Sequence, residues 1–101
     1  MSSYVYCEIT SNADMNNNTY AGFEYYFVDA SSGSITITLP EILYDGTTFI
    51  MHRIDNSVNN VTLEAFTGQT VDGTSSVNMP ARNYQEFVSL NNNWYNPNFS
   101  Y

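Results

Sequence analysis

The sequence contains no lysine, and its only strongly basic residues are Arg53 and Arg82. Ten acidic residues among 101 give a net charge of -8, so the chain lacks the cations that neutralise phosphate groups. We therefore expect no nucleic-acid partner. The same shortage of basic residues argues against binding to anionic membrane surfaces.

Cysteine is nearly absent as well, since Cys7 is the only one and cannot form an intrachain disulfide. No apolar run is long enough to span a membrane, so we expect no membrane insertion. Charged residues make up only 12%, and Asn, Ser and Thr supply the polar surface instead. These residues favour turns over helices, because their side chains bond to nearby backbone groups.

Hydrophobic residues make up 43% of the chain and occur in short alternating runs, which is typical of half-buried strands. The clearest run is 34–39, which predicts that Ile35, Ile37 and Leu39 face the core. Run 47–54 has apolar residues on both faces. Such a strand is covered on both sides or has one face at a subunit interface.

Further strands are predicted at 4–10, with Val5, Cys7 and Ile9 facing inward, at 23–28, and at 84–90 with a bulge near Phe87. Runs 47–54 and 61–63 flank a polar turn and indicate a hairpin. Other turns are predicted at 45–46, 72–73 and 91–93. No repeat of solenoid length is visible. The expected fold is a small all-β domain, an antiparallel β-sandwich or jelly roll.

Four motifs in this order resemble a known family: DASSGSITITLP at 29–40, DGTTFIMHRIDNSVNNVTLEA at 45–65, GQTVDG at 68–73 and YQEFVSLNNNWY at 84–95. They are similar to the C-terminal receptor-binding head domains of trimeric viral fibre and phage tail fibre proteins. On this basis residues 1–101 form one domain. Residues 1–28 supply N-terminal strands and a loop, 29–95 the family-like core, and 96–101 a C-terminal tail.

The resemblance implies a non-enzymatic homotrimer at a fibre or tail tip of a virion, facing the exterior. It also implies attachment to a host-surface receptor, often a carbohydrate. Two alternatives stay open: a structural trimerisation cap or capsid decoration domain without receptor binding, and a polysaccharide-degrading enzyme.

The most glycan-like residues are Trp94 and Tyr95, beside Asn92 and Asn93, with Asp72 as a further polar group. Sugars stack on aromatic rings, while amides and carboxylates form directional hydrogen bonds with their hydroxyls. The alternative for Trp94 is that it closes the core, because Trp is usually well buried.

Candidate subunit-interface residues are Arg53, Arg82 and Tyr101, because Arg and Tyr are enriched at protein interfaces. For Arg53, the alternative is an ion pair with Asp55, two residues further along the chain.

No metal site or cofactor is expected, since His52 has no second histidine or cysteine cluster beside it. Glycoside hydrolysis requires two carboxylates that face each other across a cleft. Glu64 and Glu86 are the only pair we nominate, and placement of both at the surface is the expected alternative.

Overall fold

The computed structural model of the protein describes residues 5–96, and within this range the chain is all-β, with one short 3-10 helix at Asn18–Tyr20. The strands are β1 Tyr6–Ile9, β2 Ala13–Asp14, β3 Tyr25–Val28, β4 Ile35–Thr38, β5 Thr48–Arg53, β6 Val61–Glu64, β7 Thr70–Val71, β8 Ser76–Asn78, β9 Tyr84–Leu90 and β10 Asn93–Tyr95. The predicted all-β class is confirmed.

The strands form two sheets, and the first six strands alternate between them. One sheet has six strands in the order β1-β3-β5-β9-β10-β7, and the other has four in the order β2-β4-β6-β8. Pairing is parallel within β1-β3-β5 and within β2-β4-β6. The chain therefore winds through three stacked coils, as in a solenoid. Antiparallel pairing of β8, β9 and β10 and parallel pairing of β7 with β10 then complete the sheets.

Two predictions about pairing are therefore wrong. The sheets are mixed and do not form the antiparallel sandwich or jelly roll that the turn spacing suggested. The predicted hairpin is also absent, because β5 and β6 lie in different sheets and the polar turn between them is a corner. Parallel strands need a connection that leaves the sheet, and here each connection includes a strand of the opposite sheet.

The core lies between the two sheets and is lined by alternate residues of each strand. Ile35, Ile37 and Leu39 are buried, as predicted, and Phe49 and Met51 face them from the other sheet. Burying each such side chain contributes about 1.5–3 kcal/mol relative to exposure.

Two local predictions are wrong, one on the inward residues of the first strand and one on a bulge in β9. Val5 is 68% exposed, so only Ile9 of the predicted inward set in the first strand is fully buried, with Cys7 half-buried. β9 pairs with β5 in continuous register through Phe87, so the expected bulge is absent. The inward positions flanking Phe87 are instead taken by two polar residues, Gln85 and Ser89.

Ser89 is buried at little cost because its hydroxyl group is fully used. It donates to the Tyr44 carbonyl at 2.8 Å and accepts from the Thr47 backbone N–H at 2.9 Å. A buried hydroxyl with both kinds of partner avoids the penalty of an unsatisfied group. The apolar pattern of the sequence therefore shifts phase in β9 while the strand itself stays regular.

Candidate functional site

The residues predicted to bind a glycan lie in two tight turns and in β10, the strand that follows one of them. Asn91 and Asn92 both have positive φ, 51° and 61°, in the two-residue connection between β9 and β10. Asp72 and Gly73 have φ of 46° and 79° in the connection closed by the Val71–Thr74 bridge. This left-handed conformation suits two-residue hairpin connections, and Asn, Asp and Gly adopt it most readily.

Hydrogen bonds join the two turns into one unit, which we call the paired turns: residues 70–73 and 91–96. The Asn93 Oδ1 atom accepts from the Thr70 hydroxyl at 2.6 Å and from the Gly73 N–H at 2.9 Å. The Asp72 N–H donates to the Trp94 carbonyl at 2.8 Å, and Asp72 Oδ1 accepts from the Asn96 N–H at 3.1 Å. The fold thus brings Asp72 next to residues that lie twenty positions away in sequence.

The two aromatic residues of the paired turns have different roles. The Trp94 side chain is 1% exposed, packs edge-on against Phe49 at 4.8 Å, and donates from Nε1 to the Pro40 carbonyl at 3.2 Å. Its indole closes the core, as in the alternative derived from the sequence. Tyr95 is 49% exposed and is therefore the ring that the paired turns present to solvent.

The polar residues of the paired turns also divide into buried and exposed ones. Asn93 is buried and holds the turns together, whereas Asn91 and Asn92 are exposed. Asp45 approaches from the loop before β5, and its Oδ1 atom accepts from the Asn91 N–H at 3.0 Å. The paired turns therefore expose the phenol ring of Tyr95 on β10 and the side chains of Asn91 and Asn92 in the connection before it.

A second candidate surface, which the sequence did not single out, is the outward face of strands β1, β3, β5 and β9. We call it the aromatic face and define it as two rows of side chains in cross-strand register. The first row consists of Tyr6, Tyr25, Ile50 and Glu86. The second row consists of Glu8, Phe27, His52 and Tyr84.

The rings of the aromatic face pack against one another at interplanar angles between 36° and 78°. Tyr6 meets Phe27 at 5.4 Å with an interplanar angle of 78°, and His52 meets Tyr84 at 5.8 Å, also at 78°. The His52 Nδ1 atom is 3.1 Å from the Tyr25 hydroxyl oxygen, within hydrogen-bond distance. His52 is therefore held among aromatic side chains, and the aromatic face is a ridged surface.

The four-stranded sheet has an outward face of opposite character. Its side chains there are short and polar: Thr36, Thr38, Thr62, Glu64, Ser76 and Asn78. A sheet with one face in water normally carries polar residues on that face, as this sheet does. The six-stranded sheet departs from that rule on its aromatic face, where Tyr6 and Tyr84 remain 53% and 42% exposed.

Of the predicted interface residues, Arg53 is enclosed within the subunit. Its side chain forms a two-pronged ion pair with Asp55, with both N···O distances 3.0 Å, and donates to the Met79 carbonyl at 2.7 Å and the Asn59 carbonyl at 2.6 Å. At 2% exposure it has no surface to offer a neighbouring subunit. Its role is to tie the corner between β5 and β6 to the rest of the fold.

The Arg53 guanidinium group, which hydrogen-bonds to Asp55, holds the pKa of that carboxyl well below its ordinary value. Hydrogen bonds from the Ala30 N–H and the Ser57 hydroxyl lower the pKa further, and burial opposes them. Arg82, by contrast, is exposed in a turn with φ of 53°, and Tyr101 lies outside the described residues.

Glu64 and Glu86 lie on the outward faces of different sheets, so they do not face each other. A shallow cleft of about 480 Å³ lies elsewhere, between residues 57–61 and 77–81, and the one charged residue in its lining, Arg53, is already paired with Asp55. Among the described residues, no group of three metal-ligating side chains of the His, Cys, Asp or Glu type is close enough to hold an ion.

Within residues 5–96, no helix has the length and apolar character needed to cross a membrane. No protein-family model matches the chain, and the curated proteins contain no match to it either.

Proposed function

We propose that the chain is the non-enzymatic, homotrimeric head domain of a viral fibre, which attaches the virion to a host-surface glycan through the paired turns. The observation that carries this proposal is the ring of Tyr95, 49% exposed on β10, the short strand that follows the exposed residues Asn91 and Asn92. A sugar ring stacks its apolar face on a phenol ring and bonds to such polar groups through its hydroxyls.

The rigidity of the paired turns supports recognition. Asn93 and Asp72 fix both turns through side-chain hydrogen bonds, so Tyr95 is carried by a short strand in register with β9. A site that is ordered before binding loses less conformational entropy when the ligand arrives. A trimer would present three such sites, and several weak contacts together would give useful avidity.

The experiment is a glycan array screened with the wild-type protein and with Tyr95→Ala and Tyr95→Phe. We expect binding to at least one glycan, at least about fivefold weaker binding for Tyr95→Ala, and smaller loss for Tyr95→Phe, which keeps a stacking ring. Val58→Ala is the control, since Val58 is 99% exposed but lies outside the paired turns. Binding that Tyr95→Ala leaves unchanged would exclude the paired turns as the site.

A structural trimerisation cap is the second candidate, because the aromatic face is the kind of surface that mediates subunit contacts. A protein that assembles into trimers but binds no glycan and no host-cell extract would support this second function. Measurement of the mass in solution decides whether the assembly has three copies.

A further inference from the structure

We propose that the aromatic face is a self-complementary contact surface, through which two copies of this chain pair about a two-fold axis. This inference goes beyond receptor attachment and does not depend on it. A three-fold head would use other surfaces of each subunit for its own assembly, and this two-fold pairing is the alternative to a trimer contact on the aromatic face.

The pattern of the aromatic face carries the proposal. It is a grid of four strands by two rows, with carboxylates at two diagonally opposite corners, Glu8 and Glu86. Phenol groups occupy the other two corners, Tyr6 and Tyr84. The four central positions carry no formal charge with His52 neutral: Tyr25, Phe27, Ile50 and His52. The grid therefore has nearly the same polarity pattern after half a turn.

This arrangement suits a two-fold contact, in which each residue of one copy meets a different residue of the other. When the second copy is turned over about an axis along the strands, Glu86 meets Tyr6, and Glu8 meets Tyr84. When it is turned over about an axis across the strands, Glu8 meets Tyr6, and Glu86 meets Tyr84. In both cases each carboxylate faces a tyrosine hydroxyl, and no carboxylate faces another.

Such pairs are favourable because a tyrosine O–H donates a charge-assisted hydrogen bond to a carboxylate. The central aromatic and aliphatic side chains then cover one another, as they do between the sheets of a sandwich, which pack about 10 Å apart. The result has the ordinary anatomy of a protein interface, with an apolar centre and a polar rim.

Other occupants fit the aromatic face less well. A sugar chain needs flat ring faces, whereas Tyr6–Phe27 and His52–Tyr84 meet edge to face at 78°. A second copy brings ridges of matching spacing and donors at the required corners.

The size of the surface sets the expected strength. With strands about 4.8 Å apart and same-face residues about 7 Å apart along each strand, the grid and its side chains cover on the order of 300 Å². Two such faces bury less than the roughly 1,200–2,000 Å² of stable complexes. We therefore expect a reversible, concentration-dependent pair rather than a permanent one.

The test is sedimentation of the wild-type protein over a wide concentration range, compared with Ile50→Glu and with Thr62→Glu. Ile50→Glu places a charge at the centre of the aromatic face, and Thr62→Glu places the same charge on the polar face of the other sheet. We expect the wild-type mass to double with concentration, from one copy to two or from three to six. Thr62→Glu should behave like the wild type, and Ile50→Glu should remain unpaired.

The double variant Tyr6→Phe/Tyr84→Phe keeps every ring and removes only the two hydroxyl groups, so it provides a second test that does not burden folding. We expect at least fivefold weaker pairing. A mass that never doubles, or a doubling that survives both sets of changes, would overturn the inference. A trimer that persists in all variants without doubling would overturn it too, yet leave the proposed trimeric head intact.

Discussion

Arg53 and Asp55 belong to a small set of charged side chains in this chain, and both are nevertheless buried, at 2% and 8% exposure. Burial of a charge is costly unless the group is paired and hydrogen-bonded. Here the guanidinium group reaches two carbonyl oxygens in addition to the carboxylate, and the carboxylate accepts from Ala30 and Ser57. The pair thus connects the corner after β5 with the turn after β3.

Removal of one partner should therefore be far more damaging than removal of both. We expect Asp55→Ala to lower the free energy of unfolding by about 3–5 kcal/mol, because the Arg53 guanidinium is left buried without its counter-charge. The double variant Arg53→Met/Asp55→Leu should lose less. Urea denaturation followed by circular dichroism measures both variants.

Arg82→Met is the matched control for loss of a positive charge, since Arg82 is exposed and both residues carry a Cβ in the same backbone conformation of φ 53°. A change within about 0.5 kcal/mol is expected there. If Asp55→Ala lowered the free energy of unfolding no more than Arg82→Met does, the ion pair of Arg53 and Asp55 would not stabilise the fold.

For single residues, the sequence predicted the ion pair of Arg53 with Asp55 as one of two alternatives, the other being a place at a subunit interface. It did not indicate that the pair is buried. Spacing of two residues indicates proximity, whereas burial also depends on the Asn59 carbonyl later in the same corner and on the Met79 carbonyl, which arrives from the segment after β8. Trp94 is the opposite case. The usual burial of Trp predicted its place in the core without any knowledge of its partners.

At the level of elements, the turns are the best-predicted part of the chain because their chemistry is local. The Asp72-Gly73 and Asn91-Asn92 dipeptides require left-handed backbone, and both form the turns that their composition indicates. The aromatic face was harder to recognise. Residues 23–28 carry aromatic side chains on both faces, so alternation did not reveal which face is inside, and only Tyr26 and Val28 prove to be fully buried.

The conformation of Gly73 allows a matched pair of substitutions. At φ of 79° an added Cβ meets no atom within 4 Å, so any cost of Gly73→Ala is backbone strain alone. We expect Gly73→Ala to lower the free energy of unfolding by about 1 kcal/mol or more, and Gly73→Asn to lower it less, since Asn tolerates this conformation. Thermal denaturation of the two variants side by side gives the comparison. Equal losses would show that strain at Gly73 is not the cause.

At the scale of the whole molecule, stacking of parallel coils could not be read from the sequence because the coils differ in length. Tyr6 aligns with Tyr25 and Tyr25 aligns with Ile50, so the residue spacing changes from one coil to the next. A repeat is visible in sequence only when the period is constant. Alternation predicted which residues of 34–39 face inward and that 47–54 has apolar residues on both faces, but it does not determine whether neighbouring strands run parallel or antiparallel.

The stability of the whole molecule should fall in acid because of Asp55. Its pKa is lowered in the folded state, so the stabilisation is complete above the ordinary pKa of about 3.9 and is lost as the pH falls below it. We expect the difference in unfolding free energy between the wild type and Asp55→Asn to shrink from pH 7 towards pH 2. Because Asp55→Asn keeps the other nine acidic residues, their titration largely cancels in this difference. A difference that stays constant with pH would contradict the assignment.

The stability of the fold at high pH should be limited in part by Tyr26. Its hydroxyl donates to the carbonyls of Tyr20 at 2.8 Å and Phe23 at 3.2 Å. Burial, with a smaller contribution from Cys7, raises the pKa of Tyr26 to about 12. Because the folded state favours the protonated phenol, its contribution to stability is complete below about pH 10 and is lost as the pH rises towards 12.

Tyr26→Phe provides the test, since it keeps the ring that packs edge-on against Phe49 and removes only the ionisable group. Near neutral pH we expect the variant to be less stable by about 1 kcal/mol, the usual contribution of lost hydrogen bonds. Above pH 10 that deficit should shrink and then reverse, because only in the wild type does unfolding expose a phenol that ionises in alkaline solvent, which favours the unfolded state. Urea midpoints measured by circular dichroism from pH 8 to 12 would reveal the crossing, and parallel curves would show that Tyr26 does not limit stability in alkali.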